Sequence, residues 1–374
     1  MNNSYFSSQQ SSIKDKVLSL DYPLVFLILL LGIISFFSMY STEGGVFSYY
    51  TKNHIYRFCT FFIIFISLSF FNITFWYKTS YLFYIIILAL LLSVDIFGVV
   101  ASGSKRWINI FFFNLQPSEL MKIVLLLFLA RYYSKINSRD VNHVKTMFVP
   151  LIAIFVPVTL IATQPDLGTS VLVAFGGIAL IWLAGFRLKY FVVGSILSLC
   201  LLPVVISFLK AYQKARILTF LNPERDPLGA GYQIIQSKIA IGSGGLFGKG
   251  FLNGSQSYLD YLPEKHTDFI FTLFSEEFGF IGSVFLLTIY ALIIQRVISI
   301  GNKCKNNFAK LYCFGFAMAF FMYVAVNMCM VLGLLPIVGA PLPIMSYGGS
   351  SMLSIMIGLS VVMSSKIYSQ NRDE

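Results

Sequence analysis

The chain has 374 residues, of which 57% are hydrophobic and only 11% carry a charged side chain. This balance excludes an ordinary soluble globular protein and indicates an integral membrane protein. A net charge of +11 would suit a nucleic-acid binder, but no basic patch interleaved with aromatic residues occurs, so no nucleic-acid partner is predicted. The five cysteines lack metal-ligand spacing, and neither a disulfide nor a structural zinc site is expected.

Ten apolar stretches are each long enough to cross about 30 Å of hydrocarbon as a helix. We therefore predict an all-α, polytopic membrane protein with ten transmembrane helices in a domain over 22–367, between tails at 1–21 and 368–374. The start of the chain lacks the order of a cleavable signal, so the first span is predicted to stay as an anchor. The ten stretches lie near residues 22–41, 56–74, 80–100, 117–133, 147–163, 167–186, 190–209, 269–295, 311–333 and 350–367.

The distribution of lysine and arginine predicts the orientation of the chain in the membrane. An even number of spans puts both termini on one side, and 15 of the 27 basic residues fall in the tails and loops of that side. Cytoplasmic loops carry such an excess, so both termini are predicted to be cytoplasmic. The positive charge then reflects topology and contact with membrane lipid rather than a soluble anionic partner.

One connection, residues 210–267, is far longer than the others and is predicted to lie outside the cytoplasm. Within it Tyr232, Ile235 and Ile239 recur at helical spacing, which predicts a short helix at the membrane interface or re-entering the bundle. A lid that only shields the bundle is the alternative. The glycine run from Gly242 to Gly250 does not fit a phosphate-binding loop, and either a hinge or a turn that binds an anion through its amides remains open.

Four ionisable groups fall within or beside the predicted spans, where an unpaired charge is costly. Glu119 and Lys122 lie at i and i+3 on span four, so they share one face and form either a neutralising salt bridge or a pair that faces a wet cavity. Asp166, between spans five and six, is either a helix cap or a cavity residue. Arg57 opens span two and is either a headgroup anchor or a cation for substrate.

The stretch "YLPEKHTDFIF" concentrates polar groups immediately before the eighth span. Thr267 or Asp268 is suited to capping that helix, but a cap would account for only one of them and not for His266. The spacing matches no standard metal-ligand pattern, so no cofactor is predicted, and the participation of a divalent cation is left open.

Six motifs together resemble the SEDS family (shape, elongation, division and sporulation proteins) over almost the full length of the chain. The resemblance implies a ten-span peptidoglycan glycosyltransferase that polymerises lipid II at the outer face of the bacterial cytoplasmic membrane. Lipid II is an undecaprenyl-linked disaccharide peptide, and the implied partners are a class B penicillin-binding protein transpeptidase and the elongation machinery. The motifs are "GSKRWINI" (Gly103 to Ile110), "QPSELMK" (Gln116 to Lys122), "QPDLGTS" (Gln164 to Ser170), "GSQSYLDYLPEKHTDFIF" (Gly254 to Phe271), "SEEFGFIG" (Ser275 to Gly282) and "PLPIMSYGGSS" (Pro341 to Ser351).

The resemblance also implies roles for individual residues. Asp268 is the implied catalytic residue, and Arg57 and Lys122 belong to the implied charged cavity. From the chemistry of the reaction we predict that Asp268 is a general base and that Lys122 and Arg57 bind the substrate pyrophosphate. Glu119 and Asp166 complete the charged cavity, and His266 and Thr267 are added as substrate-binding candidates because they adjoin Asp268. The residues of the longest motif resemble the elongation branch of the family more than the division branch.

Two other functions are weighed against polymerisation. A flippase for lipid II would bind its substrate near the midplane, commonly between repeated halves, and no clear internal repeat occurs. A scaffold for a penicillin-binding protein would not need the charged residues. Span nine carries small residues, Gly315 and Ala319 among them, that suit close contact either with a partner helix or within the bundle.

Overall fold

The structure is a computed structural model that describes residues 13–101, 104–110, 113–137, 140–208, 211–226, 229–255 and 265–370. The outer parts of both predicted tails and residues 261–264 of the polar stretch lie outside the described residues. Within the described ranges the chain is mostly helical. The helices are α1 Ile13–Leu18, α2 Tyr22–Thr42, α3 Tyr49–Ser69, α4 Ile73–Phe97, α5 Pro117–Ser134, α6 Val144–Thr163, α7 Leu167–Leu183, α8 Leu188–Phe208, α9 Ala211–Leu221, α10 Ala230–Ser243, α11 Ile270–Lys303, α12 Asn307–Val331 and α13 Gly349–Gln370.

A helix occupies each of the ten apolar stretches, and six of these helices are long and apolar enough to cross a membrane: α2, α4, α6, α11, α12 and α13. The others fall short for local reasons. For example, α7 has only 17 residues, and α5 carries Glu119, Lys122 and Arg131 within its 18 residues. Two of the charged residues that lower the mean hydropathy of α5, Glu119 and Lys122, are therefore also candidate functional residues.

A small antiparallel sheet between α4 and α5 departs from the all-α prediction. Its strands are β1 Val99–Ala101, β2 Ser104–Ile110 and β3 Phe113–Leu115, and β2 pairs with both neighbours. The β2 sequence "SKRWINI" mixes β-branched and aromatic residues with polar ones, which suits a short exposed strand. The sheet positions the chain that enters α5, because Gln116 follows β3 directly.

Helix α13 lies at the centre of the bundle, packed against α3, α4, α5, α11 and α12. Its buried face is rich in serines, whose hydroxyls donate to nearby backbone carbonyls, as Ser354 does to Ser351 and Ser364 to Phe71. Small residues allow close approach of the neighbouring helices: a Cβ on Gly358 would lie 2.2 Å from the ring of Phe316. The central helix thus combines buried apolar residues with serines whose hydroxyls are paired with backbone carbonyls of their own or a neighbouring segment.

The predicted short helix in the long connection is present as α10, but its buried face differs from the apolar positions singled out in the sequence. Ile239 is 49% exposed, whereas Ile234 and Ser237 are buried. Ser237 hydrogen-bonds the hydroxyl of Thr272 at 2.8 Å and donates to the carbonyl of Val331 at 2.7 Å. The helix therefore docks onto α11 and α12 through Ile234 together with small residues and the Ser237 hydroxyl.

Helix α11 is interrupted at Gly279, whose backbone dihedrals of φ 65° and ψ −162° are open essentially only to glycine. The glycine run lies against this interruption. The amides of Lys249 and Gly250 donate to the carbonyls of Glu276 and Glu277, and those of Phe280 and Ile281 donate to the carbonyls of Gly245 and Leu246. We call this arrangement the glycine clip, formed by residues 245–250 and 276–281.

The clip decides between the two uses left open for the glycine run. In an unbroken helix the amides of residues 280 and 281 would bond the carbonyls of residues 276 and 277. Here four cross-segment hydrogen bonds replace those two, so the amides of Lys249 and Gly250 are engaged by backbone carbonyls rather than presented to an anion. The glycine run therefore has a structural role: it supplies the backbone hydrogen bonds that the kinked helix α11 lacks.

Of the small residues singled out on span nine, Gly315 packs inside the bundle, which corrects its use as a partner surface. A Cβ on Gly315 would lie 2.8 Å from Leu180 of α7 and 3.4 Å from Leu126 of α5. A Cβ on Gly176 of α7 would lie 3.8 Å from Ala319. Gly315 therefore lets α12 approach α5 and α7 closely and is not available to a partner helix, whereas Ala319 is half-buried beside Gly176.

Candidate functional site

The Glu119 and Lys122 side chains form an ion pair inside the bundle. Lys122 Nζ lies 2.8 Å from Glu119 Oε1, and both side chains are almost fully buried. The hydroxyl of Tyr323, from α12, donates to the other carboxylate oxygen at 2.6 Å, and the ammonium lies 3.8 Å from the centre of the same ring. The i, i+3 spacing on α5 thus produces the predicted pair, and one aromatic side chain contacts both charges.

Asp166 is a helix cap and also the centre of a second polar cluster. It accepts from the amide of Thr169, as the capping interpretation predicts. Its carboxylate also accepts from the side-chain amide of Gln116 at 2.7 Å and lies 3.5 Å from the guanidinium of Arg106 on β2. The two interpretations of Asp166 are therefore compatible, because the capping carboxylate also holds the entrance to α5.

The backbone around Asp268 is held by three hydrogen bonds to three consecutive carbonyls. The amide of Tyr347 donates to His266 at 2.8 Å, and the hydroxyl of Ser346 donates to Thr267 at 2.5 Å. The side-chain amide of Asn327 donates to the carbonyl of Asp268 at 2.9 Å. These contacts fix the direction in which Asp268 presents its side chain.

Asp268 does not occupy the capping position that the sequence left open for it. Helix α11 begins at Ile270 and its N-cap residue is Phe269, so Asp268 stands one residue outside that position. A Cβ on Gly339 would lie 3.7 Å from Asp268 Oδ2, and Gly339 has φ +71°. A backbone without a side chain therefore passes beside the carboxylate and leaves space near it.

Helix α12 connects the ion pair on α5 with Asp268. Tyr323, which contacts Glu119 and Lys122, and Asn327, which holds Asp268, are four residues apart and share one face of the helix. Four residues correspond to a rise of about 6 Å. The amide of Asn327 also donates to the carbonyl of Ala340 at 2.7 Å. One helix face thus contacts both the buried ion pair and the backbone of Asp268.

Arg57 belongs to the same region through an aromatic contact. Its guanidinium carbon lies 4.5 Å from the centre of the Tyr347 ring. A Cβ on Gly349, the first residue of α13, would lie 3.7 Å from the same guanidinium. The next residue, Ser350, accepts from the amide of Gln116, which joins this corner to the Asp166 cluster.

His266 lies at the outer edge of the site, where its imidazole nitrogen Nε2 contacts the carboxylate of Glu43. The ring of Tyr50 stacks on the imidazole with centres 4.5 Å apart and an interplanar angle of 15°. Tyr50 also meets Tyr347 edge-on, with centres 5.2 Å apart. This group joins α2, α3 and the loop before α13.

The second half of the loop between α12 and α13, residues 340–346, is irregular and mostly buried backbone, and side chains from three helices satisfy its carbonyls. Ser35 of α2 donates to Met345, Tyr290 of α11 donates to Pro343, and Asn327 donates to Ala340. Ile344 has φ +66°, an uncommon conformation for a β-branched residue. Such irregular backbone is tolerated inside a membrane protein only where its polar groups are paired, and here it shapes the site.

The structure therefore brings Arg57, Glu119, Lys122, Asp166, His266 and Asp268 into one connected region. It adds Glu43, Tyr323 and Asn327, which the sequence did not single out because their partners lie far away along the chain. Within the described residues, no group of three or more His, Cys, Asp or Glu side chains is arranged to hold a metal ion.

The fold and the site define a class: helical membrane proteins with a charged site built between their spans. A family model for FtsW, RodA and SpoVE, described as cell cycle proteins, matches residues 18–371. The chain is 46% identical to the peptidoglycan glycosyltransferase MrdB of Escherichia coli K12 over 284 residues, or 75% of this chain and 76% of that one. It is 35% identical to a probable peptidoglycan glycosyltransferase FtsW of Buchnera aphidicola over 318 residues, covering 84% and 83% of the two chains.

Two solved structures have the same fold. One is described as the structural coordination of polymerization and crosslinking by a peptidoglycan synthase complex, with a TM-score of 0.81 and 31% identity over 94% of this chain and 98% of that chain. The other is the rod shape determining protein RodA of Thermus thermophilus, with a TM-score of 0.70 and 26% identity over 95% and 98%. The chain belongs to the FtsW, RodA and SpoVE family, as its motifs predicted.

Proposed function

We propose that this protein is a peptidoglycan glycosyltransferase that polymerises lipid II into glycan strands during cell elongation. The names of its relatives support the activity, and the higher identity to MrdB than to the FtsW relative supports the elongation branch. The observation that carries the mechanism is the α12 face on which Tyr323 contacts the buried Lys122 and Asn327 holds Asp268. The same helix face therefore contacts the cation proposed for the leaving group and the segment that carries the carboxylate proposed for the incoming hydroxyl.

The mechanism assigns one role to each charge. Lys122, assisted by Arg57, binds the donor pyrophosphate, and Glu119 sets the position of the lysine. Negative charge develops on the leaving pyrophosphate in the transition state, and a cation held in a buried site stabilises that charge better than one in water. Asp166 and the His266–Thr267 backbone shape the surrounding substrate site.

Asp268 is the proposed general base. The acceptor sugar hydroxyl attacks the anomeric carbon of the donor, the bond to pyrophosphate breaks, and the hydroxyl proton passes to the carboxylate. The arrangement parallels the base of an inverting glycosidase, with a sugar hydroxyl in place of water. The backbone hydrogen bonds to residues 266–268 supply the fixed orientation that this step requires.

An apolar cavity supports a lipid-linked substrate. It has a volume of about 260 Å³, lies among α3, α4, α5 and α13, and has no polar lining surface. Leu120 and Ile123, next to Glu119 and Lys122 on α5, contribute to its wall. The isoprenoid tail of a lipid-linked substrate matches an apolar cavity of this kind.

The proposed setting is the bacterial cytoplasmic membrane, crossed ten times by α2 to α8 and α11 to α13. The membrane domain covers 22–367, with residues 210–267 outside and both tails, 1–21 and 368–374, in the cytoplasm. The proposed partner is a class B penicillin-binding protein of the elongation machinery, because one structural neighbour is described as a peptidoglycan synthase complex that coordinates polymerization and crosslinking.

The orientation is testable with single cysteines in a chain whose native cysteines are replaced by alanine. Glu224 and Asn302 are both exposed, on opposite predicted sides of the membrane. In intact spheroplasts an impermeant thiol reagent should label a cysteine at position 224 and leave one at 302 unlabelled until the cells are lysed. The reverse pattern would invert the topology.

The decisive activity test is Asp268→Asn in the purified, reconstituted protein supplied with lipid II. The substitution keeps the size of the side chain and removes the base, so glycan formation should fall by roughly 10²–10⁴-fold. The protein should still fold and bind its partner. Glu224→Gln, which alters an exposed acid in the same long connection, serves as the matched control and should polymerise normally. Near wild-type polymerisation by Asp268→Asn would remove the general-base assignment.

A further inference from the structure

We infer that Glu43 is a positioning residue for glycosyl transfer, acting on the Asp268 segment through the imidazole of His266. The inference rests on the proposed function, because Asp268 is the proposed base. Glu43 lies 223 residues before His266 in the chain, and no motif in the sequence connects the two. Their side chains are only 17% and 13% exposed, so their contact is largely shielded from solvent.

The location of Glu43 is electrostatically unfavourable unless a positive or polarised partner faces it. It is the C-cap residue of α2, followed by Gly44 and Gly45 with φ +67° and +79°. The C-terminal end of a helix carries partial negative charge and disfavours a carboxylate. The imidazole of His266 is the group that faces this carboxylate, and it offsets the repulsion.

Two contacts hold the imidazole ring of His266, and a third holds the backbone of the same residue. Glu43 contacts its edge at Nε2, and the Tyr50 ring covers its face at 4.5 Å. The amide of Tyr347 donates to the carbonyl of His266 at 2.8 Å, and Tyr347 packs edge-on against Tyr50. A ring fixed at its edge, its face and its own backbone has one orientation, so it serves as an anchor for the residues that follow it.

Asp268 is consequently held from two directions. From within the bundle, Asn327 holds its carbonyl, while from the outer edge the Glu43–His266 pair anchors the chain two residues earlier. Small displacements of a reacting group reduce rates strongly, even when the altered residue does not touch the substrate. Loss of the Glu43 carboxylate should therefore slow the reaction step more than it weakens the binding of lipid II.

The test uses the full-length protein in proteoliposomes, with the variants Glu43→Ala, Glu43→Gln, His266→Ala and Glu43→Ala/His266→Ala. Glu43→Ala should lower kcat for lipid II polymerisation roughly 10- to 100-fold with little change in KM. Glu43→Gln, which keeps an acceptor oxygen, should retain more activity. The double variant should be no slower than the slower single variant, because both substitutions remove one interaction. Glu224→Gln should polymerise normally.

Hydrogen exchange gives a second measurement that does not depend on activity. The peptide that contains residues 265–269 should exchange faster in Glu43→Ala than in the wild type, with unchanged exchange in α12 and α13. Independent, multiplicative losses in the double variant, or unchanged exchange at 265–269, would overturn the inference. If the wild-type protein formed no glycan, the proposed function would fail, and the exchange result alone would still decide whether Glu43 orders this segment.

Discussion

Two ion pairs of glutamate and lysine, each with a buried carboxylate, have different roles in the described part of this molecule. Glu119 and Lys122 lie on one helix, both side chains are nearly inaccessible, and a single tyrosine contacts both charges. Glu276 and Lys249 come from different segments, and the lysine is 30% exposed while the glutamate is fully buried. The first pair lies in the candidate site. The second lies within the glycine clip, where it joins residues 245–250 to α11.

The surroundings of each carboxylate explain the difference. Oε1 of Glu276 accepts from Lys249, from the amide of Ser255 and from the Ser255 hydroxyl, at 2.6 to 3.0 Å. Its neighbour Glu277 accepts from the hydroxyl of Ser41, which ties the clip to α2. These acids are occupied in holding chain segments together. Residue type and a buried carboxylate therefore do not separate a binding charge from a structural one, but the burial of the lysine and the arrangement of partners do.

The largest expected effect is a loss of polymerisation activity when the first pair is altered. Lys122→Met should reduce polymerisation by at least about 100-fold, because the stabilisation of the leaving pyrophosphate is lost. Lys122→Arg should retain part of the activity because it keeps the positive charge. Lys145→Met, at an exposed position on α6, is the matched control. Normal glycan synthesis by a folded Lys122→Met protein would make the first pair structural as well.

A smaller effect is expected at the second pair, in stability rather than in chemistry. Glu276→Ala leaves Lys249 and Ser255 without their shared acceptor. Because the exposed Lys249 ammonium can turn to solvent, the cost is chiefly that of the lost Ser255 hydrogen bonds, on the order of 1–3 kcal/mol. The thermal unfolding midpoint should fall, and kcat per folded molecule should fall less than in Lys122→Met. Glu276→Gln keeps an acceptor for Ser255 and should lie in between. An inactive Glu276→Ala protein of wild-type stability would place this pair in the catalytic machinery.

The smallest effect is expected when only the tyrosine of the first pair changes. Tyr323→Phe keeps the ring above Lys122 and removes the hydroxyl donated to Glu119, a hydrogen bond to a charged group that is worth about 1.5–3 kcal/mol. Polymerisation should decrease clearly less than in Lys122→Met. Comparison of Tyr323→Phe with Tyr312→Phe, which removes a hydroxyl donated to the Gly358 carbonyl, separates a site effect from a general loss of packing. Equal losses in the two variants would remove the special role of Tyr323.

The same comparison shows what the sequence could predict. The Glu119–Lys122 pair follows from i, i+3 spacing on a helix, and the locations of the long helices follow from apolar length. The Glu276–Lys249 pair joins residues 27 positions apart through a turn of special backbone geometry, for which no periodicity exists. Glu43 and Asn327 were missed for the same reason: their functional neighbours are set by tertiary packing. The buried face of α10 was missed because it combines one large apolar residue, Ile234, with the small residues Gly231, Ser237 and Ala240, which carry little hydrophobic signal.

The interruption of α11 has a consequence for assembly. If α11 entered the bilayer by itself with this conformation, the carbonyls of Glu276 and Glu277 and the amides of Phe280 and Ile281 would have no partners. Unpaired backbone groups in hydrocarbon cost several kcal/mol each, so such a helix would insert either straight or not at all. The bend and the docking of residues 245–250 must therefore form in one step. The segment that ends α10 acts as an intramolecular folding partner for the next span, and it is synthesised before that span needs it.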